Sequence, residues 1–187
     1  MDPFPPNFPP DGNRSSMLIP PTPGVYAASV PGVLPSACIT WFQSQQACLL
    51  SDKRLSTNAE WQAAAAGTPD PGTDNESTDC NVSGPPFEPT DTGSRPGCKS
   101  NWGASDMVEN VFEWVADWVP ASTACPGWGS FSDDFMCLSG ASETTQGPGA
   151  LFRGGSWSDG SLAGVFAVFG SDHPSNSADF IGLRCAR

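Results

Sequence analysis

The chain has 187 residues with 20 Gly and 20 Pro, yet also 7 Trp and 11 Phe. It is long enough for one sizeable core and too aromatic for a disordered chain, with much of its length in loops. A net charge of −12 excludes a phosphate-tracking nucleic-acid binder, and no apolar run approaches the roughly 20 residues of a membrane helix.

In chain order, residues 1–23 form a Pro-rich arm that lacks the basic start and apolar middle of a signal peptide. The string GVYAASV, residues 24–30, is β-branched and aromatic and predicts a strand. Residues 40–52 carry Trp41, Phe42, Ala47, Cys48 and Leu49 at near-helical spacing, which predicts a first helix. A second is predicted over 56–67, where Thr57 and Glu60 have capping-box spacing and Gly67 can end the run. Residues 68–105 are a long irregular loop, and residues 107–119 read equally well as helix or strand. After a second irregular stretch, ALFRGGSW, VFAVF and FIGLRCAR predict short strands. The class is α+β, in one domain over 24–187.

The seven cysteines form no CxxC, so a zinc site is not expected. Cys80/Cys98 and Cys125/Cys137 each bracket a Gly- and Pro-rich loop. Disulfides there would each contribute roughly 3 kcal/mol in the loop-entropy model. The odd count leaves at least one thiol unpaired.

Three segments in order carry a resemblance. KRLSTNAEW (53–61), MVENVFEWVADW (107–118) and RGGSW…IGLRCA (153–186) resemble the framework segments of formylglycine-generating-enzyme-type domains. The resemblance implies a C-type-lectin-like fold: two helices, a small twisted antiparallel sheet and high loop content. The enzymes of that family oxidise a sulfatase cysteine and hold copper on two cysteines after the GGS motif. The matching positions here are Asp159 and Gly164, neither a thiol, so the resemblance implies no oxidase and no required cofactor. The tail over 153–187 more closely resembles the variable region of proteins diversified by diversity-generating retroelements. There, mutation at template adenines turns asparagine codons into many residue types on one ligand-binding surface. That implies a non-enzymatic receptor- or adhesion-like protein, surface-displayed or virion-associated, whose partner is an unknown ligand of protein class.

The side chains assigned to this hypervariable surface are Ser158, Asp159, Leu162, Phe169, Ser171, Asp172, His173, Asp179 and Phe180. They mix apolar bulk with carboxylates, hydroxyls and an imidazole, as recognition patches do. Alanine at Asp159 or Phe180 is then expected to leave stability nearly unchanged. The family's calcium-binding spacing falls on Asp106 and Glu113 as side-chain ligands and on the carbonyls of Glu109 and Val111, so a structural calcium is the metal the pattern offers. Trp41, Trp61, Trp102, Trp114, Trp118 and Trp157 are read as core.

Two alternatives compete. One is a sulfatase-modifying-type oxidase with a displaced site, needing a redox pair among Cys38, Cys48 and Cys185, or bound iron or copper. The other is a calcium-dependent carbohydrate lectin, for which FEPTD (87–91) is a faint echo of the sugar motif.

Overall fold

In the computed structural model, which describes residues 24–84, 87–120, 132–134, 136–137 and 148–187, Thr40 and Thr57 each open a helix. Helix α1 runs Trp41–Leu50 and α2 runs Asn58–Ala65. In each, the threonine hydroxyl accepts the N–H of the residue three on, and that Gln43 or Glu60 side chain accepts the threonine's own N–H. Both boxes satisfy donors that a helix start otherwise leaves orphaned. Between the helices, β1 (Arg54–Leu55) pairs with β7 (Cys185–Ala186).

The ambiguous 107–119 segment is a strand, β2, over Phe112–Pro120. Residues before it cannot continue a helix, since Asp106, Glu109 and Asn110 all have positive φ. The main sheet also holds β3 (Met136–Cys137), β4 (Pro148–Arg153), β5 (Val168–Phe169) and β6 (Ile181–Leu183), in the order β3-β5-β4-β2-β6. The expected antiparallel sheet is in fact mixed. β2–β4 and β4–β5 are antiparallel, whereas β2–β6 and β3–β5 are parallel. The parallel pairs arise because the chain crosses over between strands rather than turning back in a hairpin.

Successive residues on these strands enter different cores, as the two-residue period requires. Trp114 and Phe152 join Ile39, Cys48, Leu55 and Ile181 on the α1 face. Val115, Leu151 and Val168 join Trp61 and Ala65 on the α2 face. A third cluster of Cys80, Val82, Cys98, Val108 and Ala163 shares the packing of Val165 with the second. Both deepest tryptophans have satisfied indoles: Trp114 Nε1 donates to Ile39 O and Trp61 Nε1 to Glu113 Oε2.

GVYAASV is not a strand. It runs beside α1, with Ala27 N donating to Ala47 O and to Ser51 Oγ, and leaves Val25 and Tyr26 exposed. Its Ala27 N–H is taken by the end of α1 and not by a strand, and that tertiary context overrides its propensity. The Cys80–Cys98 disulfide forms as expected, and Cys38 is a free, exposed thiol. A second disulfide, Cys48–Cys185, closes 137 residues and was not anticipated. Cys125 of the proposed Cys125/Cys137 pair and the 1–23 arm lie outside the described residues.

Candidate functional site

The tail hangs from two arginines, Arg153 buried and Arg184 half-buried. Arg153, at the end of β4, donates to Asn58 Oδ1, Gln62 Oε1 and Val165 O, and lies 4.7 Å over the Trp61 ring. Burial lowers its pKa to about 10. Gly154 and Gly155 follow with φ of +97° and +85°. A Cβ on Gly154 would sit 2.8 Å from Met107 O, and one on Gly155 would strike Ala163. Glycine is therefore required twice here, by backbone angle and by space. At the far end, Arg184 donates to both Glu113 oxygens and to Ser105 O.

Between these anchors the nine assigned residues fall into two groups. Ser158 and Leu162 are exposed at a 3-10 turn, Gly160–Leu162, which is pinned to the long loop by Gly160 N donating to Val82 O. Asp159, also in this turn, is half-buried, and its Oδ2 accepts Ser156 N and Oγ, both at 2.7 Å. The second group lies against the α1 face. Phe169 stacks on Phe152 at 4.9 Å, Asp172 O accepts Ala150 N, and His173 Nδ1 is 3.3 Å from Pro148 O. Ser171, Asp172 and His173 are half-buried, Asp179 is exposed, and Phe180 is 6.4 Å from Phe112. Burial raises the Asp172 pKa, opposed by a hydrogen bond from Asn176 and by His173.

The turn adjoins the third cluster and the second group adjoins the first. Asp159, Phe169 and Phe180 also carry framework contacts. Alanine at Asp159 or Phe180 therefore removes hydrogen bonds or packing, unlike the expectation from sequence. Sequence reasoning also misplaced some tryptophans. Trp102 is 77% exposed, and Trp118 forms a partly exposed aromatic trio with Trp41 and Phe42, centroids 4.9–5.9 Å apart. Trp118 pairs with Ala150, whose N–H meets Asp172, so the trio adjoins the second group. The signal lay in WF opening a helix and DW closing a strand, where amphipathic elements reach their solvent ends.

The acidic loop before β2 is a different kind of site. Glu113 is engaged by Trp61 and Arg184, and Arg184 Nη2 reaches Glu113 Oε1 at 2.7 Å. Against the cost of burial, Glu113 raises the Arg184 pKa. Asp106 Oδ2 accepts Gly93 N, and burial raises its pKa. Glu109 is 1% exposed with φ +88°, and burial, then Asp106, push its carboxyl up to about 10. A cavity of about 620 Å³ opens beside this loop, walled by Tyr26, Val30, Leu34, Asp106, Leu183 and Arg184. None of the nine tail residues lines it.

The raised Glu109 pKa carries a pH signature. Between its ordinary 4.5 and about 10, the folded chain keeps a proton that the unfolded chain releases, so stability falls as pH rises through that range. Glu109→Gln is expected to melt with the parent near pH 4 and increasingly above it toward pH 9. The gain is roughly 2–4 °C per kcal/mol of penalty relieved. Calorimetric melts across pH read this directly, and parallel curves would refute it.

Comparison with known proteins now decides the family. Residues 24–187 match the sulfatase-modifying factor enzyme 1-like domain. The chain belongs to that family. Hercynine oxygenase of Mycolicibacterium smegmatis is 27% identical over 188 residues, 95% of this chain and 41% of that protein. The Mycobacterium tuberculosis hercynine oxygenase is 26% identical over 86% of this chain and 38% of its own length. This chain thus spans well under half of either relative. Among solved structures, the Major Tropism Determinant I1 variant superposes with TM-score 0.55 at 22% identity, over 78% of this chain and 36% of that one. PvdO from Pseudomonas aeruginosa gives 0.54 at 21% identity, over 84% and 62%. These likenesses bear out the α+β, C-type-lectin-like fold.

The metals of this sulfatase-modifying factor enzyme 1-like domain can be tested against its residues. Asp159 and Gly164 do not fit a copper-thiolate centre: Asp159 caps the Ser156 turn, and a Cβ on Gly164 would strike Asp134. A two-histidine, one-carboxylate iron centre needs a second imidazole, and the 187 residues contain one histidine. Calcium fits poorly on Asp106, Glu109, Val111 and Glu113, because Glu113 is spent on a guanidinium and an indole and Asp106 on a backbone N–H. The alternative redox pair is a disulfide, Cys48–Cys185, with Cys48 wholly buried.

Proposed function

We propose that the domain is a non-enzymatic ligand-binding protein, displayed at a cell or virion surface, whose 153–187 segment is diversified by a retroelement. The ligand is a protein. The observation that carries this reading is the division of labour in the tail. Arg153, Gly154, Gly155, Ile181 and Arg184 fix the backbone, while Ser158, Leu162 and Asp179 present side chains to solvent. Beside the second group, Phe42 and Trp118 supply exposed aromatic surface of the kind that anchors protein interfaces.

Ser158→Ala, Leu162→Ala and Asp179→Ala are each expected to change stability by no more than about 0.5 kcal/mol. Phe169→Ala, stripped from Phe152, is expected to lose about 3 kcal/mol. Denaturant melts check both, and equal losses at all four positions would count against the partition. Sequencing the coding region from many independent isolates tests the diversification. Replacements should concentrate at the nine positions, at codons templated by adenine. A spread even across residues 24–187 would sink it.

The second reading, an oxygenase or oxidase, is favoured by the hercynine oxygenase similarity over 95% of the chain. It would need catalytic ligands that the single histidine and the committed Cys48–Cys185 pair do not supply.

A further inference from the structure

Glu109 is a costly residue with no visible return. It holds a left-handed backbone angle that favours glycine, and it buries a carboxyl whose two oxygens have no hydrogen-bond partner among the described residues. What it faces is sulfur. A Glu109 carboxylate oxygen and the Sγ atoms of Cys80 and Cys98 all lie within 4.8 Å of one another, and all three residues are buried. The carbonyl oxygens of Pro69 and Val108 are 3.3 and 3.5 Å from the two sulfurs. The neighbouring guanidinium of Arg95 lies 3.9 Å from Asp74, and neither of them hydrogen-bonds Glu109.

While the Sγ–Sγ bond is intact, this acid has nothing to bind. With the bond opened, the same pocket holds two thiolates and a carboxylate, the donor types that hold zinc. We propose that reduction of the Cys80–Cys98 disulfide turns this pocket into a zinc site ligated by Cys80 Sγ, Cys98 Sγ and the Glu109 carboxylate. A small dithiol supplies two electrons and two protons to the Sγ–Sγ bond and leaves as its own cyclic disulfide. Zinc then displaces the two thiol protons, and that of Glu109, to water. With Zn–S near 2.3 Å and Zn–O near 2.0 Å, a tetrahedral ion sets the two sulfurs roughly 3.8 Å apart and the carboxylate oxygen roughly 3.5 Å from each, so once the bond opens the sulfurs part and the carboxylate closes on them, with water as the fourth ligand. The ion would hold residues 80 and 98 together where the disulfide cannot persist.

The test uses the full chain, incubated with excess dithiol until thiol counting shows both disulfides open, moved anaerobically into dithiol-free buffer, then titrated with Co²⁺ and back-titrated with Zn²⁺. The expected result is a thiolate-to-cobalt charge-transfer band that saturates near about one ion per chain and is bleached by zinc. The oxidised chain should show none. Cys80→Ser/Cys98→Ser should abolish the band although other thiols remain. Glu109→Gln, an amide of the same shape, should weaken cobalt binding at least about tenfold. Glu109→Asp should fall between, and circular dichroism confirms that each variant folds. No band in the reduced parent, a band surviving in the double serine variant, or unchanged affinity in Glu109→Gln would each overturn the proposal.

Discussion

Replacing Cys48 and Cys185 together by alanine is expected to cost about 5 kcal/mol, the largest single effect in the molecule. The disulfide closes 137 residues, and the loop-entropy contribution grows with the logarithm of that length. For a domain of this size, such a loss lowers the melting temperature by roughly 10–20 °C. The bond also ties α1 to β7, and β7 in turn pairs with β1. Its removal therefore loosens the second, two-stranded sheet as well as the chain end. The comparison belongs in a Cys38→Ser background, because the exposed Cys38 thiol could exchange with the bond. A loss below about 1 kcal/mol would show that the unfolded chain is already compact, and the entropic account would fail.

Glu113→Gln comes next, with an expected loss of about 3 kcal/mol. The amide preserves an acceptor for Trp61 Nε1, so the substitution isolates the charge. Arg184 is then left with a guanidinium whose remaining strong partner is a carbonyl, Ser105 O. Its side chain is 33% exposed, which lets water soften the loss and places it at the low end of the range for broken buried pairs. Replacing both partners, Glu113→Gln with Arg184→Met, should lose less than the two single changes summed. Strict additivity in chemical denaturation would mean that the pair is not an energetic unit.

The sequence made some of this architecture readable because its causes are local. The Thr57–Glu60 box needs three residues of separation, and the strand character of FIGLRCAR needs only its own side chains. What it hid is long-range. Nothing near Cys48 points to Cys185, and nothing near Glu113 points to Arg184, because only the folded sheet brings them together. GVYAASV shows the reverse error, in which local β character loses to a hydrogen-bonded contact with the end of α1. In the tail, residue type said what could be presented but not which way it faced. Phe169 and Phe180 share chemistry with an exposed anchor and still pack half-inward, on Phe152 and Phe112.

The two arginine clasps at the ends of the tail have an evolutionary corollary. Arg153 fastens the start of the segment to α2, and Arg184 fastens its finish to β2, each through partners outside the stretch between them except for one carbonyl, that of Val165. Replacements at the exposed positions of that span, such as Ser158, Leu162 and Asp179, therefore touch neither clasp.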